Sequence, residues 1–194
     1  MRSKLIIIVL FVSIIFGSGG YDRGTSAGKG NWDISFTWNP FNYFEQGQSY
    51  VIFGYGLTNR LDIHGYYSST SRGNGNYYGG FSYQFYKSKH LDLSTAIGVR
   101  KYTSRTTTHL FSPQLLYTLK LNDKIEIGGS YVNIRSQNIE VSKGIAIDVF
   151  LMLNLFENDK YKIDITGGGF KPVLWEPKTG DWHPTYSIDL KIKK

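Results

Sequence analysis

The chain has 194 residues, no cysteine, and 22 Lys and Arg against 15 Asp and Glu, a formal net charge of +7. One domain is the default for that length. The absence of cysteine excludes a disulfide scaffold, a Cys-ligated zinc or iron–sulfur site, a thiol nucleophile and an acylated N-terminal Cys.

Residues 1–20 read MRSKLIIIVLFVSIIFGSGG. Arg2 and Lys4 form a positive head, and the apolar run over 5–16 is short for a spanning helix. Gly17, Ser18, Gly19 and Gly20 offer small residues to a signal peptidase. This predicts a signal peptide over 1–20, cleaved near Gly20, and one β-barrel domain over 21–194. Without Arg2 and Lys4 the remainder carries 20 basic and 15 acidic residues, net +5. That charge is spread too thinly for nucleic acid, which calls for clustered Lys and Arg.

From there on, apolar and polar residues alternate. In W-D-I-S-F-T-W at 32–38, Trp32, Ile34, Phe36 and Trp38 share one face, and Asp33, Ser35 and Thr37 the other. A side-chain period of two is the mark of a strand. The same pattern returns in Leu91, Leu93, Thr95, Ile97 and Val99, set against Asp92, Ser94, Ala96 and Gly98. It returns again in Phe111, Pro113, Leu115, Tyr117, Leu119 and Leu121. The expected strands are 31–38, 49–57, 61–69, 77–86, 91–101, 108–120, 125–135, 144–156, 161–168 and 184–193. Tight polar turns fall at 58–60, 87–90, 122–124 and 157–160. Longer connections lie between them, so short and long alternate along the chain.

An apolar strand face suits a soluble barrel or sandwich turned inward, or a membrane barrel turned outward to lipid. Alternating loop lengths favour the membrane. So do aromatics at both strand ends, which match two membrane interfaces. At the tight-turn end these are Trp32, Tyr83, Phe85, Tyr117, Phe156 and Tyr161; at the long-loop end, Trp38, Tyr50, Tyr66, Tyr67, Tyr77, Tyr78, Phe111, Tyr131 and Trp182. The expected fold is an all-β, antiparallel, up-and-down transmembrane β-barrel of about ten strands, with eight as the alternative.

The stretch G-L-T-N-R-L-D-I at 56–63 resembles the G-L-T-[ND]-x-L-[DE]-[LI] turns of small bacterial outer-membrane β-barrel proteins. The resemblance implies outer-membrane localisation and the barrel assembly machinery as a partner. That machinery reads a terminal aromatic in such proteins, whereas this chain ends I-D-L-K-I-K-K.

Parity opposite to the greasy face places Asp62, His64, Asp92, Arg100, Glu126 and Asp148 in the lumen. Phe150 and Met152 share that parity with Asp148, which predicts a narrow or occluded lumen. Arg72, Lys101, Arg105, Arg135 and Lys143 gather at the long-loop rim among Tyr and Trp, where they suit the phosphates of outer-membrane lipid or lipopolysaccharide.

The expected function is an envelope barrel that binds at its surface or forms a small passive channel. A lipid-modifying enzyme and a secreted soluble β protein are the alternatives. Among the histidines, His109 with Ser112 and Arg105, and His183 with Asp181, lie at the end where lipid chemistry would occur. Their spacing matches no catalytic pattern, so no catalytic residue is assigned. No cofactor or metal is called for: the carboxylates of 122–124 and 157–160 stand beside lysines at turn spacing.

Overall fold

The computed structural model describes residues 23–39, 48–70, 75–103, 108–136, 143–173 and 182–194. They form ten strands: β1 (Trp32–Asn39), β2 (Gln48–Gly56), β3 (Leu61–Thr70), β4 (Gly75–Lys87), β5 (Leu91–Tyr102), β6 (Thr108–Lys120), β7 (Ile125–Ser136), β8 (Lys143–Glu157), β9 (Tyr161–Val173) and β10 (His183–Ile192). Each strand pairs antiparallel with its sequence neighbours, and β10 returns to pair with β1, closing the barrel. Closure leaves no open edge, which is what a sheet in lipid requires. Strands of 8 to 15 residues suffice to cross the hydrocarbon layer.

The four tight turns share one device. Thr58, Ser88, Asn122 and Asn158 each hold the turn with a side-chain oxygen, accepting from the backbone N–H groups two and three residues later. Ser, Thr and Asn do this because their short polar side chains reach their own backbone. Register across each hairpin is thereby fixed, and with it which parity faces lipid.

The outer face is greasy. Ile97 and Leu115 are 49% and 46% exposed in mid-strand, while Ser94 and Gln114 of the opposite parity are buried. Trp32, Tyr83, Phe85, Tyr86, Phe156 and Tyr161 are exposed towards the tight-turn end, and Trp38, Tyr67, Tyr77, Tyr131 and Trp182 towards the other. Bulges in β4 at Gln84/Tyr86 and in β8 at Asn154/Phe156 place two consecutive residues, Phe85 with Tyr86 and Leu155 with Phe156, on the lipid side.

Three sequence expectations change. Tyr50, Tyr66 and Tyr78 leave the outer belt and turn inward, because strict alternation sends Tyr67 and Tyr77 outward in their place. Phe111 also turns inward. The register of β6 shifts against both neighbours between Phe111 and Gln114, at Pro113, so the residues before the bulge take the other parity. Finally, β9 runs on through Gly167, Gly168 and Gly169 to Val173, past the expected end at residue 168. Pairing on both sides overrides their weak strand preference.

Candidate functional site

The interior is lined by small and charged side chains at the tight-turn end and by larger ones higher up. Ser35, Thr37, Ser94, Thr118 and Ser187 are all buried and all inward. An eight-strand barrel is filled by its own side chains, so ten strands with small inward residues leave room for something more. That room is taken by the chain's own N-terminal segment, residues 23–30.

The segment enters beside β2. Gly30 N donates to the Gly56 carbonyl at 2.8 Å, and Gly56 N donates to the Asn31 carbonyl at 3.1 Å. A side chain at Gly56 would run into the Gly28 carbonyl, so the approach depends on glycine there. Gly28 and Gly30 have φ of 81° and 80°, the left-handed region that lets the chain turn inward. The Ser26 hydroxyl then donates to Asp62 Oδ1 at 2.7 Å, and Ala27 N to Asp62 Oδ2 at 2.9 Å. Thr25 Oγ1 donates to Asp92 Oδ2 at 2.9 Å. Gly24 lies flat on β5 and β6, its N–H donating to Thr118 Oγ1 and its carbonyl accepting from Ser94 Oγ. Arg23 ends the crossing with Nη1 at 3.6 Å from Met152 Sδ on β8. In the ring of strands β8 stands opposite β3, so the segment spans the full width of the lumen.

A collar of charge surrounds the crossing. Its carboxylates are Asp33, Asp62, Asp92, Glu126, Asp164 and Asp189, from six strands. Lys120 pairs with Asp92 at 2.6 Å, Lys162 with Asp164 at 3.3 Å and Glu126 at 3.9 Å, and Lys191 with Asp33 at 3.8 Å. Asp189 accepts from Thr166 and Ser187 hydroxyls. Burial opposes the charge on Arg23, but the fields of Asp33, Asp189, Asp164 and Glu126 outweigh it and hold the guanidinium's pKa above its ordinary value.

Above the collar, β2 to β6 carry an aromatic patch. Tyr66 stacks on Tyr78 with ring centroids 5.3 Å apart, Tyr50 meets Tyr66 edge-on, and Phe111 lies 5.4 Å from Tyr78. The Tyr78 hydroxyl lies 3.1 Å from His64 Nε2 and accepts from Gln114 Nε2 at 2.9 Å. The Arg100 guanidinium lies over the Phe111 ring at 4.8 Å.

The residues expected in the lumen thus divide. Asp62, Asp92 and Glu126 belong to the collar. His64 and Arg100 belong to the aromatic patch, and Asp148, bonded to Ser130, stands apart on the β7–β8 wall. Of the expected rim cations, Lys101 and Arg135 are exposed at strand ends. Lys143 starts β8, and Arg72 and Arg105 lie outside the described residues, as do 1–22 and Asp181. His109 is buried and inward, pairing in register with Arg100. Sequence reasoning missed Arg23 and the docked segment. The signal available was the run of small residues over 24–30, interrupted only by Lys29.

A closed ten-strand antiparallel barrel, greasy outside and polar within, is the architecture of a small outer-membrane β-barrel protein. No family model matches the sequence, and no curated protein does either. Among solved structures the chain is similar to the KdgM porin, with a TM-score of 0.51 at 9% identity, over 84% of this chain and 99% of that one. It is likewise similar to the KdgM porin in complex with disordered oligogalacturonate, with a TM-score of 0.53 at 9% identity and the same coverage. The shared feature is the porin-like barrel fold.

Proposed function

We propose that this chain resides in the outer membrane as a narrow passive channel that its own residues 23–30 hold closed at the tight-turn end. The observation that carries the reading is the crossing itself: Asp62, Asp92, Thr118 and Ser94 fasten consecutive residues of one segment along β3 to β6, and the Arg23 side chain reaches Met152 on the facing wall. A barrel serving only as a scaffold needs no such segment, since longer inward side chains would fill it. The exposed Lys101 and Arg135 at the long-loop rim support contact with phosphate-bearing headgroups.

The test is current across a planar bilayer. The folded chain starting at residue 21 is expected to be silent or to open rarely, and a chain starting at Asn31 to conduct steadily. Equal silence of both would favour a structural barrel. Equal conduction would show that the segment does not close the lumen.

A further inference from the structure

We infer that one flank of the tight-turn end is a docking surface for anionic phospholipid headgroups. This goes beyond the channel reading and does not depend on it. Around the closed ring, the ends of β10 and β1, the β2–β3 turn and the β4–β5 turn follow one another. They carry Lys29, Arg60, Lys87, Lys89 and Lys194, all exposed. None of these five side chains meets a carboxylate. Among the described residues no Asp or Glu is exposed on this flank, since Asp33, Asp62, Asp92 and Asp189 are buried and inward. The opposite flank is balanced. There Lys124, Lys160 and Lys193 stand beside Asp123, Glu157 and Asp159, and Lys193 binds Glu157 at 2.6 Å. The positive charge of this end therefore lies on one side.

The outer surface beside these cations is aromatic. Trp32 on β1 and Tyr83, Phe85 and Tyr86 on β4 are exposed, and Trp32 lies against Tyr55 of β2 with ring centroids 4.8 Å apart. Trp and Tyr settle at the level of lipid headgroups, so this belt marks where the membrane interface passes. The cations stand within a residue or two of it. Lys87 follows Tyr86 directly, and Arg60 precedes Leu61, which pairs in register with Tyr83. The Arg60 carbonyl accepts from Gln84 N at 2.8 Å, which fixes the turn against β4. From such positions the flexible stems of Lys and Arg carry their charge to neighbouring phosphates. Short turns mark the periplasmic end of these barrels, where the leaflet is phospholipid. Cations massed beside a membrane-spanning element attract anionic headgroups. Their place against the aromatic belt, on tight turns and strand ends, favours lipid over a soluble acidic partner.

The test uses the full mature chain folded in phosphatidylcholine vesicles and reads the motionally restricted signal of spin-labelled lipid at the barrel surface. Spin-labelled phosphatidylglycerol is expected to be enriched there about fivefold over spin-labelled phosphatidylcholine. Lys87→Gln with Lys89→Gln should remove most of that preference. Lys124→Gln with Lys160→Gln takes the same charge from the balanced flank and should leave most of it. Raising the salt to about 1 M should weaken the preference, because the screening length then falls to about 3 Å. All four lysines are exposed in turns or at a strand end, so both double variants should keep the folded gel mobility. No preference, an equal loss from both pairs, or a preference indifferent to salt overturns the proposal. An equal loss would assign the effect to net charge and not to this flank. Lipid selectivity is read without current, so its failure leaves the bilayer result standing, and a barrel that never conducts leaves the lipid result standing.

Discussion

Replacing Gly24 by valine is expected to turn a silent barrel into a conducting one. Gly24 lies against the inner face of β5 and β6, where any Cβ would meet the Asp92 carbonyl oxygen and come within 2.9 Å of the Tyr117 Cα. Both obstacles are backbone of paired strands, so neither yields as a flexible side chain would. The segment itself must lift. It then loses the bonds from Gly24 N to Thr118 Oγ1 and from Ser94 Oγ to the Gly24 carbonyl. Overpacking and two lost hydrogen bonds together favour the displaced state by about 2–4 kcal/mol. That multiplies the displaced population by roughly two orders of magnitude. Single-channel open probability measures it directly. The strand pairing is untouched, so Gly24→Val should keep the gel mobility of the folded barrel. An unchanged open probability would mean that the segment is not what limits the current.

The second large effect is on stability and lies on the outer face. Ile97→Arg or Leu115→Arg places a cation in mid-strand against lipid and should cost about 2–4 kcal/mol near the bilayer midplane. Thr185→Asn, on the inward parity of β10, should cost less than about 1 kcal/mol, since its buried hydroxyl has no partner to lose. Ser94 and Gln114 share that inward parity but are poor controls. Ser94 holds Gly24, and Gln114 bonds both the Tyr78 hydroxyl and the Phe111 carbonyl. Equilibrium unfolding in vesicles distinguishes the positions. Equal costs at Ile97 and Thr185 would mean that the greasy face does not meet lipid.

Strand parity was legible because it depends only on neighbours two apart. In β5, Asp92, Ser94 and Ala96 against Leu93, Thr95 and Ile97 settle which side is wet without reference to the rest of the chain. Turns were legible because Thr58, Ser88, Asn122 and Asn158 act on their own backbone. Phe111 was misplaced because a bulge is a register event between strands and leaves no mark in one strand's alternation. The docked segment was hidden for a related reason. It binds through backbone N–H groups, small hydroxyls and missing side chains, and its partners Asp62, Asp92 and Thr118 lie about 35 to 94 residues away. In the sequence Arg23 is one charge before the first strand, with no acidic partner at close spacing on its own face. Only the closed ring brings the carboxylates of β1, β7, β9 and β10 around it.

Where residues 23–30 sit in the folded barrel decides whether the lumen is closed. The chain has no cysteine, so one engineered pair reports unambiguously. Ser26 Oγ donates to Asp62 Oδ1 at 2.7 Å, so Ser26→Cys with Asp62→Cys puts the two thiols on side chains that touch in the docked state. Mild oxidation of the folded, membrane-embedded barrel should form this disulfide. The oxidised barrel should be silent in a planar bilayer, and reduction, which frees a segment now lacking its Asp62 anchor, should start the current. Thiols that stay free under oxidation, or a current indifferent to their redox state, would contradict the account.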